Sequence, residues 1–231
     1  NMINDEYVYE VINNETTAYI CAQLLAEEFC AHNPITVFDQ ITSKCFFEEC
    51  AWPLMKDMMD EGLSFLARHR SSKEIVGAVI AGDLYTYHQR HPYDSATPPQ
   101  AIAASDLLDE MENLFIIQDF GRALKPNLVL HITLAAVCVE HSGRGVASQM
   151  NMAMCDYARN TKGFQYALVQ ITNQVTRHIF VSKMKGKEVT TIDPTVWLWK
   201  KKDDGLLCPY KGYTHGLIPN ILIDLNADNE I

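Results

Sequence analysis

The sequence predicts an α/β domain, a mixed sheet flanked by helices, and three observations carry that expectation. The first is a strand–turn–helix unit at residues 128–154. An apolar, β-branched run over 128–139 enters a turn holding Gly143 and Gly145. A helical pattern follows, with Val146, Met150, Ala153, Met154 and Tyr157 on one face. The second is that strand-like and helix-like stretches alternate along most of the chain. The third is size: 231 residues, 48% hydrophobic and 21% charged, suit one large domain (1–231) with a proper core.

Taken in order, residues 7–12 alternate like a strand and run into an Asn-Asn-Glu turn. Residues 16–32 read as an amphipathic helix with Thr17, Ile20, Cys21, Leu24, Leu25 and Ala31 on its apolar stripe, stopped by Pro34. Glu28 falls on that stripe, so either its carboxylate is partly buried or the helix frays before it. Residues 36–62 form a second helical region, broken at Trp52-Pro53 and ended by Gly62. Residues 63–69 and 75–84 are two strands joined by a short polar turn, which predicts a hairpin.

Residues 86–127 read as an insertion. His88, His91, Pro92, Pro98 and Pro99 make a loop. Residues 101–119 then form an acidic helix with Leu107, Leu108, Met111, Leu114 and Phe115 inward. Its Asp106, Asp109, Glu110, Glu112 and Asp119 are expected to form a solvated face. After the central unit come a strand (164–171), a helix (173–185) and a strand (187–199) interrupted at Asp193-Pro194. An aromatic loop with Tyr210, Tyr213 and His215 and a last strand (220–225) complete the chain. No repeat or low-complexity segment is present.

The turn at 142–148 carries the clearest chemistry. A strand feeding a glycine turn and a helix aims several backbone N–H groups, and the positive end of the helix dipole, at one point suited to a phosphate. Gly143 and Gly145 allow close backbone approach, and Arg144 adds charge. Two glycines are too few for a dinucleotide-binding fingerprint, and no lysine follows Gly145 as a P-loop requires.

Composition narrows the partners. Seven cysteines, an odd number without paired spacing, point to a reduced, cytoplasmic chain. No Cys-x-x-Cys or His-Glu-x-x-His is present, so no metal is expected. No targeting segment and no bilayer-spanning stretch is evident. The formal net charge of −10 disfavours nucleic acid and anionic membrane and favours a cationic small partner, unless it serves solubility alone.

Ser142-Gly143-Arg144-Gly145-Val146-Ala147, behind the strand residues Leu134 and Val137, resembles the acetyl-CoA motif of the GCN5-related N-acetyltransferases, with Ser142 where Arg or Gln is usual. The element order resembles that family over nearly the whole chain. The stretches 29–36, 62–67 with 74–77, and 183–189 are similar to its arylalkylamine N-acetyltransferase-like branch.

The resemblance implies a sheet of about seven strands split into a V. Acetyl-CoA would lie in the V, its pantetheine arm on Val137, Cys138 and Val139. The pyrophosphate would sit on Ser142, Gly143, Arg144, Gly145, Val146, Ala147 and Ser148, with Asn173 reaching the pantetheine. The implied reaction is direct attack of a small primary amine, arylalkylamine- or polyamine-like, on the thioester. The residues available to deprotonate that amine are Glu28 on the first helix and His131 on the central strand. The acceptor is expected beside the acidic insertion and the Tyr210–His215 loop. Three positions depart from relatives: Asn33 where insect members often carry Glu, Thr133 in place of the second His of a His-x-His pair, and Phe180 or Val181 where many members place a Tyr acid. Alternative functions are transfer of a longer acyl group from CoA or a carrier protein, and acyl-CoA sensing without catalysis.

Overall fold

Seven strands hydrogen-bond into one sheet in the order β1-β2-β3-β4-β5-β7-β6. They are β1 (Tyr7–Val11), β2 (Phe65–His69), β3 (Ile75–Asp83), β4 (Val129–Val137), β5 (Tyr166–Gln170), β6 (Lys187–Ile192) and β7 (Ile218–Asp224). The computed structural model describes residues 5–227, so most of the N-terminal stretch searched for a targeting segment lies outside the described residues. All neighbours pair antiparallel except β4 and β5, which are parallel. The predicted hairpin is β2–β3.

The helices are α1 (Glu15–His32), α2 (Pro34–Phe38), α3 (Ser43–Phe46), α4 (Trp52–Met58), α5 (Leu84–Arg90), α6 (Ala103–Leu114), α7 (Val146–Tyr157) and α8 (Gln174–His178). Local chemistry sets the ends of α1. Asn14 caps its start by accepting from the Thr17 N–H at 2.9 Å. Pro34 holds Asn33 extended (ψ 122°), which ends α1 and starts α2 in one step. Gly62, left-handed at φ 64°, closes the helical region before β2.

One face of the sheet packs on α1, α4 and α6 through Leu25, Met55, Leu107 and Met111, with Ile80 beneath them. The other packs on α7 through Val146, Met150 and Met154, with Ile132 and Val169 beneath. Among the described residues no helix is long and apolar enough to cross a membrane.

Several expectations change. The stripe of α1 is rotated: Ala18, Cys21, Ala22, Leu24, Leu25 and Ala26 are buried, while Ile20 and Ala31 are exposed. The break placed at Trp52-Pro53 is a π turn at Phe47–Ala51, and Pro53 occupies the first turn of α4, where its missing N–H costs nothing. The loop expected around His88 begins as α5, capped by Asp83, whose carboxylate accepts from the Tyr85 N–H. Beyond Pro194 the chain makes a 3₁₀ turn rather than resuming a strand.

The acidic face of α6 is not solvated. Asp106, Glu110 and Glu112 are all buried, the first two because matching donors cover them. Trp199 Nε1 donates to Asp106 at 2.7 Å and Trp197 Nε1 to Glu110 at 3.1 Å. Lys201 and Lys200 pair with the same two carboxylates at 3.1 and 2.6 Å.

Candidate active site

β4 and β5 pair only from Val129 with Tyr166 through Ile132 with Val169. β4 continues to Val137 while β5 stops at Gln170, so the sheet opens into a V. The opening starts at a β-bulge. The register of β4 against β3 shifts between Ile80 and Ala81, leaving Thr133 as the extra residue, and its Oγ1 donates to the Ile80 carbonyl at 3.0 Å. Past the bulge, the Cys138 N–H donates to the Val76 carbonyl at 2.8 Å. By strand alternation the N–H groups of Val137 and Ala135 therefore point away from β3, toward the side where β5 has ended.

A cavity of about 490 Å³ occupies the V. At one end lies the turn before α7, where Gly143 and Gly145 take left-handed φ of 74° and 80°. A Cβ on Gly143 would meet nothing within 4 Å, so the backbone there is open to a ligand. Gly145 caps α7 without a side-chain acceptor, which leaves the first-turn N–H groups to a ligand. Lys183, in the π turn after α8, brings Nζ to 3.0 Å from Ser148 Oγ in the same cavity.

A second cavity, of about 940 Å³, lies beside α4, α5 and α6. It shares Leu108, Thr133, Leu134 and Gln170 with the first, so the two meet at the bulge. Its wall carries Asp57, Asp109, Glu112, Tyr87 and His91. His131 lines it too, 5% exposed, with Nε2 3.1 Å from Gln170 Oε1 and Nδ1 3.2 Å from Glu112 Oε2.

A chain of hydrogen bonds fixes the tautomer. Gln170 Nε2 donates to Asn220 Oδ1 and Asn220 Nδ2 to the Met111 carbonyl, both at 2.9 Å. Gln170 Oε1 is then an acceptor, and His131 Nε2 carries the hydrogen. Burial lowers His131 to about 4, against the Gln170 hydrogen bond. It raises Glu112 well above the carboxylate range, with Asp109 adding to the rise. Asp109 itself is pushed up to about 6, chiefly by burial.

Glu28 lines the first cavity only. Its carboxyl is raised by burial, partly offset by His32 at 3.7 Å and by a hydrogen bond from the Val139 backbone. Donor atoms of Glu28, Cys138 and Glu140 lie within 4.8 Å of one another. Cys138 is five residues along the chain from Thr133, roughly 16 Å at strand rise. Glu28 and His131 are therefore not brought together.

Several solved structures resemble this one. The C-terminal condensation domain of Ebony, in complex with beta-alanyl-dopamine, superposes with TM-score 0.73 at 13% identity, over 94% of this chain and 99% of that one. A mosquito arylalkylamine N-acetyltransferase like 5b gives 0.70 at 14%, over 94% and 98%. The Drosophila melanogaster polyamine N acetyltransferase gives 0.65 at 15%, over 94% and 99%. No family model and no curated protein sequence matches the chain. The fold is that of the GCN5-related N-acetyltransferases.

Within this acetyltransferase fold, Val137, Val139, Ser142, Gly143, Gly145, Val146, Ala147, Ser148 and Asn173 all line the V cavity. Cys138 and Arg144 do not. The Cys138 N–H is committed to β3, and Arg144 turns to Glu6 at 3.7 Å. Lys183, beside Ser148, brings a positive charge to the cavity. Tyr210 and Tyr213 are core residues that line neither cavity, and the tyrosines that line the second cavity are Tyr87 and Tyr93. Asn33, where insect relatives often carry Glu, is buried and donates to Thr172 Oγ1 at 2.7 Å. Sequence reasoning missed Lys183, Gln170 and Glu112.

Proposed function

We propose that this protein is an acetyl-CoA-dependent N-acetyltransferase acting on a small, cationic primary amine. The supporting observation is the meeting of two cavities at the Thr133 bulge, one ending at a phosphate-type turn and the other walled by carboxylates. CoA would thread the V, with its pyrophosphate on residues 143–148 and Lys183 beside it. Its pantetheine amides would pair with the cleft-facing β4 backbone at Ala135 and Val137. The thioester then sits at the bulge, where a β4 N–H can polarise its carbonyl.

The amine enters from the second cavity, where Asp109, and Asp57 beside Arg90 and His91, favour a cation. Its attacking nitrogen must shed a proton, and His131 is the basic residue nearest the junction. Glu28, on α1 and beside Cys138 just past the far end of β4, could serve only through a chain of water. The structural neighbours named for arylalkylamine and polyamine acetylation support this substrate class. A second reading, transfer of a longer or carrier-borne acyl group, is favoured by the likeness to the Ebony condensation domain.

The deciding experiment is a thermal-shift and turnover screen with acetyl-CoA, longer acyl-CoAs, a carrier-protein thioester and a panel of amines. Acetyl-CoA should raise Tm and support acetylation of cationic amines. Preference for a longer or carrier-borne acyl donor selects the second reading. CoA binding without turnover of any amine would leave a sensor.

A further inference from the structure

Glu112 has no place in the reading above, yet it is the side chain beside the one free ring nitrogen of His131. Both groups are more than nine-tenths buried, at 4% and 5% exposure, and both line the acceptor cavity. The Glu112 Oε2–His131 Nδ1 distance is 3.2 Å. Nδ1 is buried and has no hydrogen-bond partner in the structure. A proton placed on Glu112 would supply one. We propose, resting on the acyl-transfer reading, that Glu112 and His131 act together as the proton acceptor of the site, one proton being held between Oε2 and Nδ1.

Neither group serves well alone. His131 Nε2–H is committed to Gln170, and an isolated imidazolium here would be a buried, unpaired charge. A carboxylate isolated from water carries the same penalty. Sharing a proton takes the pair from a charge of −1 to 0 and leaves no new buried charge. The titratable and charged groups that line the same cavity are Glu49 and Cys50 in the π turn before α4, Lys56 and Asp57 on α4, Tyr87 and Arg90 on α5, His91, Tyr93 and Asp94 after it, Asp109 on α6 and Lys201, with the Tyr87 ring 6.0 Å from the imidazole. Asp109 opposes ionisation of Glu112, while Lys201 is paired with Asp106 at 3.1 Å. The pair thus titrates above the ordinary carboxylate range, where a base is useful to an enzyme working near neutrality.

The step balances. The ammonium gives one proton to the pair and its freed lone pair attacks the thioester carbon. As the C–N bond forms the C–S bond breaks, the thiolate leaves with the bonding electrons, and the second proton lost by the nitrogen neutralises it. The pair returns its proton to water through the cavity. Above its apparent pKa the pair is ready; below it, occupied, so kcat/KM rises with pH through that value.

The test is Glu112→Gln, which preserves shape, measured by pH–rate profile and by acetyl-CoA thermal shift, with ¹⁵N-histidine NMR on the wild type. The variant should lose about 100-fold or more in kcat/KM, with the acid limb displaced and the acetyl-CoA shift retained. In the wild type the Nδ1 resonance of His131 should move from hydrogen-bonded to bare as pH rises through the kinetic pKa. Loss of only a few-fold with an unmoved acid limb, or an Nδ1 signal constant across the neutral range, would overturn the proposal. If the variant does not fold, the wild-type resonance decides. A wild type that turns over no amine defeats the acyl-transfer reading instead, while the resonance still shows whether the proton is shared.

Discussion

Asp39 and Tyr210 show how single buried groups set the pH response of this protein. Tyr210 is fully buried, and its hydroxyl donates to Asp39 Oδ2 at 2.8 Å. Burial raises Asp39 from 3.8 to about 6, with the Tyr210 hydrogen bond opposing. A carboxyl whose folded pKa is raised costs stability as pH climbs from its unfolded value through the folded one. Asp39→Asn, which keeps an acceptor for Tyr210, should therefore raise Tm above pH about 6 relative to the wild type. The gain should vanish near pH about 4. An unchanged difference across that window would mean that Asp39 does not carry the cost. His131 has the opposite sign: its folded pKa of about 4 lies below 6.5, so stability is lost as pH falls between those values. Glu28 belongs to a different test. Because its carboxyl takes the Val139 N–H, Glu28→Gln should change acetyl-CoA affinity while leaving the acid limb of the rate profile in place. A displaced acid limb would return Glu28 to the proton path.

At the scale of an element, α6 holds its place by an exchange of polar groups with the segment beyond β6. Asp106 accepts from Trp199 Nε1, the Gln100 N–H and Gln100 Nε2, and pairs with Lys201. Trp199→Phe keeps the ring packing but removes the donor at 2.7 Å. It should cost about 1.5–3 kcal/mol, the range for a hydrogen bond to a charged group, read as a lowered urea midpoint with an unchanged slope. α6 also marks the limit of what the sequence could tell. Its inward residues Leu107, Met111 and Phe115 were legible from helical spacing, because apolar burial is local and periodic. The burial of Asp106, Glu110 and Glu112 was not, since their partners lie about ninety residues later, or, for Glu112, on β4. Pairing across such distances leaves no periodic trace. The Thr133 bulge was hidden for a related reason, since a register shift is a property of two strands and not of one.

At the scale of the molecule, the sheet is divided at its one parallel pair, and a ligand spanning the V would join two halves whose strands pair over only four residue pairs. The strand–turn–helix unit at the V was legible because glycine and helix-start signals are local, and Gly143 and Gly145 take the left-handed geometry that such a turn requires. Acetyl-CoA binding only the folded state should stabilise the protein by about 2.7 kcal/mol at a hundredfold excess over Kd. Gly145→Val separates that effect from the fold. At φ 80° a β-branched residue is strained by about 1–2 kcal/mol, so the unliganded Tm should fall modestly. The ligand-dependent rise should disappear, because the turn can no longer present its N–H groups to a pyrophosphate. Gly121→Ala is the control: Gly121 also has a positive φ, of 66°, with nothing within 4 Å of an added Cβ, but lines neither cavity. It should lower the unliganded Tm and keep the acetyl-CoA shift in full. A Gly145→Val variant that keeps the shift would place the phosphates away from α7 and remove the main support for CoA in the V.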